Sequence, residues 1–208
     1  DQLPLPERLD AQSMRRARRI PSVETLQHML RARTAFAQRR AAQVRVDGGD
    51  VPVAALDGRA RRSTIDGLTW WVPVLPSQSA ASVDRMLAKQ RFPYIVIAQT
   101  RDVAVGGIML DIGANVGRMA IPRVILGDST KVFCAEPDEL NFQCLMANVR
   151  DNRLEGLVVP DRVAISDHIG RLPLQRGKMS GGHRVVHGGA VPDAAETVPC
   201  TTLDAWVE

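Results

Sequence analysis

The nine residues from Met109 to Gly117, MLDIGANVG, constrain this chain more than any other stretch. An apolar run ends on Asp111, glycines follow at Gly113 and Gly117, and a helical pattern opens behind them. Glycines in a strand-to-helix turn allow backbone angles closed to other residues and let a ligand approach the main chain. The amides of such a turn, and of the helix start behind it, favour an anionic or polar group. The chain around this turn alternates in character. Strand patterns at GGIMLDIG, KVFCAEPD and LVVPDRVAISD are separated by helical patterns from Asn115 to about Leu126 and from Glu139 to about Asn152. That order predicts an α/β fold with a parallel, Rossmann-like sheet and right-handed crossovers. The strands are near-continuous apolar runs, which predicts a sheet covered on both faces. Pro122 inside the first helix predicts a kink.

A second feature fits the first. The strand after the turn ends in Glu136, 25 residues beyond Asp111, where an acid can accept both hydroxyls of a ribose. Two cofactor classes share this logic. A dinucleotide fingerprint needs G-x-G-x-x-G, and counting from Gly113 its second and third glycines are Asn115 and Arg118. The middle glycine makes room for a pyrophosphate, which Asn115 would crowd. The D-x-G-x-N-x-G pattern suits S-adenosylmethionine sites, where a small amino-acid moiety sits on the turn. A nicotinamide-dependent oxidoreductase with the same layout is the alternative. Asp111 as a mere turn-former and Glu136 as a helix-capping acid are the plain readings, and their joint spacing argues against them.

DIGANVG, the AEPDELNF segment, the helix carrying Asn148 and Asn152, RVAISDHIG and the closing VPCTTLD resemble, in order, the FkbM family of class I S-adenosylmethionine-dependent methyltransferases. The resemblance covers about residues 103–208. It implies that the turn Asp111, Gly113, Ala114, Asn115 and Gly117 holds the methionine end of the cofactor. It implies that Glu136 binds the ribose and that the backbone at Val163 and Ala164 lies beside the adenine. The implied activity is O-methylation of a hydroxyl on a carbohydrate or small-molecule metabolite. In that family an acidic D-x-x-K-x-D-V-E-G-x-E segment follows the TLD strand, whereas this sequence reads to Glu208. With only the first three parallel strands encoded, the IMLDIG strand is expected to have an unpaired apolar flank. A truncated domain, a partner segment, the N-terminal region or self-association would account for that flank.

Methyl transfer is an in-line displacement, so alignment supplies much of the acceleration, and a base helps when the acceptor is an alcohol. The candidate base is His183 in SGGHRVVH, with His187 second. Two glycines before a histidine suit a mobile loop over a site. A surface histidine with no role is the plainer reading.

Residues 1–95 form a separate region in this reading, with residues 96–208 as the cofactor-binding half. Val23, Leu26, Met29, Leu30, Phe36 and Ala37 recur at helical spacing behind Ser22, a suitable N-cap, with Arg33 interrupting the stripe. An earlier basic helix over 10–19 is expected, and the Asp-Gly-Gly-Asp stretch at 47–50 breaks the helical pattern that runs from Ser22 to about Gln43. VPVAAL and LTWWVPVL, bounded by Asp57-Gly58 and Asp66-Gly67, predict hairpin strands. Trp70 and Trp71 then serve packing, with sugar stacking as the alternative. Ser79–Arg91 predicts a short helix ended by Pro93.

The charge divides along the same line. Residues 1–65 carry 13 arginines, no lysine and 7 acids, while the rest is slightly acidic, within an overall net charge of +4. Arg15, Arg16, Arg18, Arg19, Arg31, Arg33, Arg39 and Arg40 could form a nucleic-acid surface. No aromatics are interleaved, and arginine is favoured over lysine throughout, so a solvated helix face is the better reading and nucleic acid is not the expected partner. A non-catalytic nucleic-acid-binding module remains the rival. No apolar run approaches the ~18–20 residues that span a bilayer, and the start has no secretory pattern. Three cysteines without C-x-x-C spacing argue against a disulfide framework or zinc site, and with the rest predict a cytoplasmic setting.

Overall fold

The computed structural model describes residues 22–41, 56–88, 97, 106–186 and 196–208. Helix α1 (Val23–Ala41) begins where expected: the Ser22 hydroxyl accepts from the Thr25 amide at 3.1 Å. Its buried face runs Leu26, Leu30, Thr34, Ala37 and Ala41. Thr34 joins that face because its hydroxyl donates to the Leu30 carbonyl at 2.7 Å, which satisfies it inside the core. Arg33 therefore does not interrupt the stripe. It lies beside it and donates to the Leu126 carbonyl at the end of a neighbouring helix.

The hairpin forms at Asp66-Gly67, joining β1 (Ala60–Ile65) to β2 (Leu68–Pro73), with Ile65 opposite Leu68. Both turn residues are left-handed, at φ 53° and 81°, as a two-residue turn between twisted strands requires. The first strand is the polar segment ARRSTI rather than VPVAAL. The short turn fixes 60–65 as the partner of 68–73, and an outer strand needs no apolar face. Leu56 and Asp57-Gly58 form a turn, and 51–55 lie outside the described residues. Trp70 is buried, whereas Trp71 reaches Asp151 Oδ2 through its indole N–H at 2.8 Å. Helix α2 (Ala80–Ala88) packs on β1, where Arg61 donates twice to Asp84.

The parallel sheet has the order β3 (Gly107–Ile112), β4 (Ser129–Ala135), β5 (Val158–Asp161). Its crossovers are α3 (Ala120–Leu126) and α4 (Glu139–Asp151). Helix α3 starts five residues later than the pattern suggested. Asn115 and Gly117 are left-handed, at φ 53° and 85°, and no helix can begin until the chain has passed them. Pro122 then falls in the first turn, where its missing N–H has no intrahelical partner to lose, and it does not break the helix. A left-handed Gly127 closes the other end.

Both crossovers step the same way along the sheet, so crossovers of one hand place α3 and α4 on one face. The described residues leave the other face of β3 uncovered, with Ile108 62%, Leu110 39% and Ile112 52% exposed. The expectation of cover on both faces is met on one face only among them. The segment LVVPDRVAISD is not one strand. It breaks at Arg162-Val163, and β6 (Ala164–Ser166) enters a second, four-stranded sheet. There β6 runs parallel to β9 (Glu196–Thr202), and β7 (Gly170–Gln175) lies antiparallel to β9 and to β8 (Arg184–Val185). The chain then forms α5 (Leu203–Val207), capped by the Thr202 hydroxyl.

Leu26, Leu30, Leu68 and Trp70 share one core with Ile121, Ile125 and Leu145. Two asparagines on α4 make the junction specific. Asn152 accepts from Thr69 N–H at 2.9 Å and donates to Thr69 C=O at 2.7 Å. Asn148, one turn earlier, does the same to the N–H and C=O of Trp71, and donates further to Val116 C=O at 2.8 Å. Side chains four residues apart on a helix thus satisfy alternate residues on the free edge of β2, as a neighbouring strand would. No helix among the described residues is long and apolar enough to cross a membrane. The basic segment 10–19, the break at 47–50, Pro93 and the boundary at 95/96 lie outside them.

Candidate functional site

The C-terminal ends of β3 and β4, with the start of β6, enclose a pocket of about 320 Å³. Its centre is Glu136. The carboxylate is 4% exposed and accepts from Asn115 N–H at 2.8 Å and Asp138 N–H at 2.9 Å, and from the Asn141 amide at 3.4 Å. Burial pushes this carboxyl upward, against the pull of the Asp138 and Asn115 amides and the Asn141 side chain. Glu136 therefore ties the turn after β3 to the loop after β4.

The turn itself divides by role. Gly113 and Asn115 line the pocket, as do Val163 and Ala164 across from them. The Asn115 side chain folds over the turn, accepting from Val116 N–H at 2.8 Å. Asp111, Ala114 and Gly117 are not on the pocket wall. Asp111 accepts from the Ala120 amide at the start of α3, and burial raises its pKa to about 6, opposed by that amide and by Arg123. Its Oδ2 has no partner among the described residues. Gly117 is set by packing: a Cβ there would lie 2.7 Å from Leu145 Cδ1 and 3.2 Å from Ile121 Cδ1. Ala114 is buried beneath the turn.

His183 does reach the wall, within a folded strap rather than a loose loop. Its Nδ1 accepts from Gly177 N–H at 3.0 Å, and its Nε2 lies 3.9 Å from Asp138 Oδ2. The strap closes so tightly that a Cβ on Gly177 would meet the Gly182 carbonyl at 2.4 Å. Desolvation lowers the pKa of His183, opposed by Asp138. With Nδ1 occupied and the neutral ring's proton left on Nε2, taking a proton from a ligand would require giving up the Gly177 bond. His187 lies outside the described residues.

Asn141 is the residue that the sequence patterns did not single out. It sits on the pocket wall at the first turn of α4, 1% exposed, and donates to Ser180 C=O at 3.1 Å as well as to Glu136. Its Oδ1 is buried without a partner among the described residues. A polar residue five positions beyond the acid, on the buried helix face that also carries Asn148 and Asn152, was the available signal. Cys134 and Cys144 are buried free thiols, and burial pushes both up, Cys144 to about 12, so neither is a thiolate near neutral pH.

No family profile matches this chain, and no curated protein is significantly similar to it. Solved structures with partial likeness include TYW2 from Pyrococcus horikoshii in complex with MeSAdo, 19% identical over 51% of this chain and 36% of that one, TM-score 0.36. The methyltransferase FkbM from Methylobacillus flagellatus is 17% identical over 50% of this chain and 24% of its own, TM-score 0.35. A tRNA methyltransferase of M. jannaschii is 13% identical over 52% and 33%, TM-score 0.33. The chain thus spans between a quarter and somewhat over a third of the length of these structures.

Proposed function

We propose that this protein is an S-adenosylmethionine-dependent methyltransferase of FkbM type, acting on a hydroxyl of a carbohydrate or small-molecule metabolite. The observation that carries the reading is Glu136, a buried acid at the end of β4 bonded to the turn that follows β3. In parallel α/β sheets, ligands with a ribose bind in the crevice beyond the strand ends. Asn141 supports the fit. A buried acceptor with no partner costs about 1–3 kcal/mol, which a donor on a bound adenosine would offset. Gly113 and Asn115 would hold the amino-acid end, Glu136 the ribose, and Val163 with Ala164 the base. When bound, the cofactor supplies an activated methyl group on a sulfonium. Asn115, left-handed and crowned by its own side chain, favours this cofactor over a dinucleotide, whose pyrophosphate needs a bare backbone there.

This chain's own residues position and shield. Glu136 fixes the distance between the two loops, and the strap from Gly177 to His183 closes one side of the pocket. Alignment can supply much of a methyl transfer's acceleration, so His183 is assigned a positioning part, with a base role only at the expense of its Gly177 bond. Isothermal titration with S-adenosylhomocysteine tests the reading: the protein should bind it, and Glu136→Ala should abolish binding while the circular dichroism stays native. Affinity unchanged by that substitution, or thermal stabilisation by NAD and not by S-adenosylhomocysteine, would overturn it.

A further inference from the structure

A second cavity, of about 640 Å³, lies across the strap from the first. It opens between the Gly58-Arg59 turn, the segment Val74–Gln78 that follows the hairpin, and Arg176–Lys178. His183 stands in the wall of both cavities. The hydrogen-bonding groups around the second cavity are unbalanced in one direction. Asp138, its acid, has both oxygens occupied: Oδ1 accepts from Asn141 N–H at 2.9 Å and Oδ2 from Arg176 Nε at 3.0 Å. Gln78 has turned its carbonyl to Leu75 N–H, which leaves its NH₂ to donate. Arg176 is shared between Asp138 and Glu196. Arg59 and Lys178 are exposed and make no ion pair with any described residue. The walls thus offer two cations without an ion pair to any described residue and an amide donor, while each oxygen of the acid already accepts a bond. Val74, Leu75 and Leu140 supply an apolar strip.

We propose that this cavity binds a phosphate group, held between Arg59 and Lys178 with Gln78 donating. Two cations suit a dianion better than a singly charged carboxylate, and charge-assisted bonds to phosphate are the strong ones. Among the described residues no Phe, Tyr or Trp lines the cavity, and its one ring, His183, is held by Gly177 N–H in the strap, so the wall offers no aromatic platform for a nucleobase. The phosphate can come free or as a monoester of a small molecule, and the apolar strip gives the carbon skeleton of an ester a surface to lie on.

The test is a titration of the full chain, without any nucleoside, using inorganic phosphate and glucose 6-phosphate, read by calorimetry and by amide shifts. Saturable millimolar or tighter binding is expected, with shifts at Arg59, Gln78 and Lys178. Arg59→Ala and Lys178→Ala should each weaken it about tenfold or more. Both side chains are exposed, so neither change threatens the fold, and Arg85→Ala on α2 should leave affinity unchanged. Tighter binding of the ester assigns an esterified ligand, and equal binding assigns free phosphate. No saturable binding, unchanged affinity in the two cavity variants, or an equal loss in Arg85→Ala would each overturn the proposal. Because S-adenosylhomocysteine plays no part in these titrations, the result stands or falls apart from the methyltransferase reading.

Discussion

Among the described residues, two turns hold a non-glycine residue at φ 53°, followed at once or two residues later by a left-handed glycine, and one of them lines the pocket around Glu136. At Asp66-Gly67 the conformation closes a hairpin, and the carboxylate of Asp66 meets Arg31 at 3.1 Å. At Asn115–Gly117 the same backbone state delays a helix, presents an amide to Glu136, and packs against Leu145. The left-handed residue is therefore not what makes a site. What separates the two turns is the burial around the second and the acid that a neighbouring strand delivers to it.

The largest effect should come from Gly117→Ala. The added Cβ meets Leu145 and Ile121 while the backbone stays left-handed, so urea denaturation should show a loss of about 4 kcal/mol. A loss under about 1 kcal/mol would mean the turn is as tolerant as the hairpin. Next is Asn148→Ala, which strips partners from the N–H and C=O of Trp71 and from Val116 C=O, and should lower stability by about 3 kcal/mol. It should also blunt the near-ultraviolet signal of the tryptophans, since the hairpin loses its clamp.

Asp111 gives a pH-dependent difference. Its folded pKa of about 6 lies above the unfolded value, so its protonated form contributes stability that is fully present below about pH 4 and lost as pH rises through 6. Asp111→Asn keeps an acceptor for the Ala120 amide but has no proton to lose. It should be more stable than the parent at pH 8 by about 2 kcal/mol and should show a flatter profile between pH 4 and 6. A variant with the parent's slope would place that titration elsewhere. The smallest effect belongs to Asp66→Asn, which tolerates the left-handed state and weakens an ion pair whose arginine is half exposed although the Asp66 side chain is 8% exposed. Its cost should stay near 0.5 kcal/mol.

The same contrast governs what could be read from residue patterns. The strand into Asp111, the glycine turn, Glu136 and the helices were legible because local periodicity and one acid at a strand end carry them. The strand over Ala60–Ile65 was hidden because it is polar, and only the turn length places it. The break at Arg162-Val163 was hidden because β6 pairs with β9, more than thirty residues away, and nothing local announces that partner. Asn141 was hidden for a related reason: its bond to Ser180 joins a helix to a strap 39 residues later. Asn148 and Asn152 were visible as polar residues four apart on a buried helix face, but their use as a substitute strand edge depends on where β2 lies.

The most direct test of the account is a nitrogen-15 amide titration of the full chain with S-adenosylhomocysteine. The signals of Gly113, Asn115, Glu136 and Asn141 should move together and saturate, while those of Asp66, Gly67 and Lys178 stay in place. Absence of binding, or shifts confined to residues away from the turn at the end of β3, would contradict the claim that this turn and Glu136 form the cofactor site.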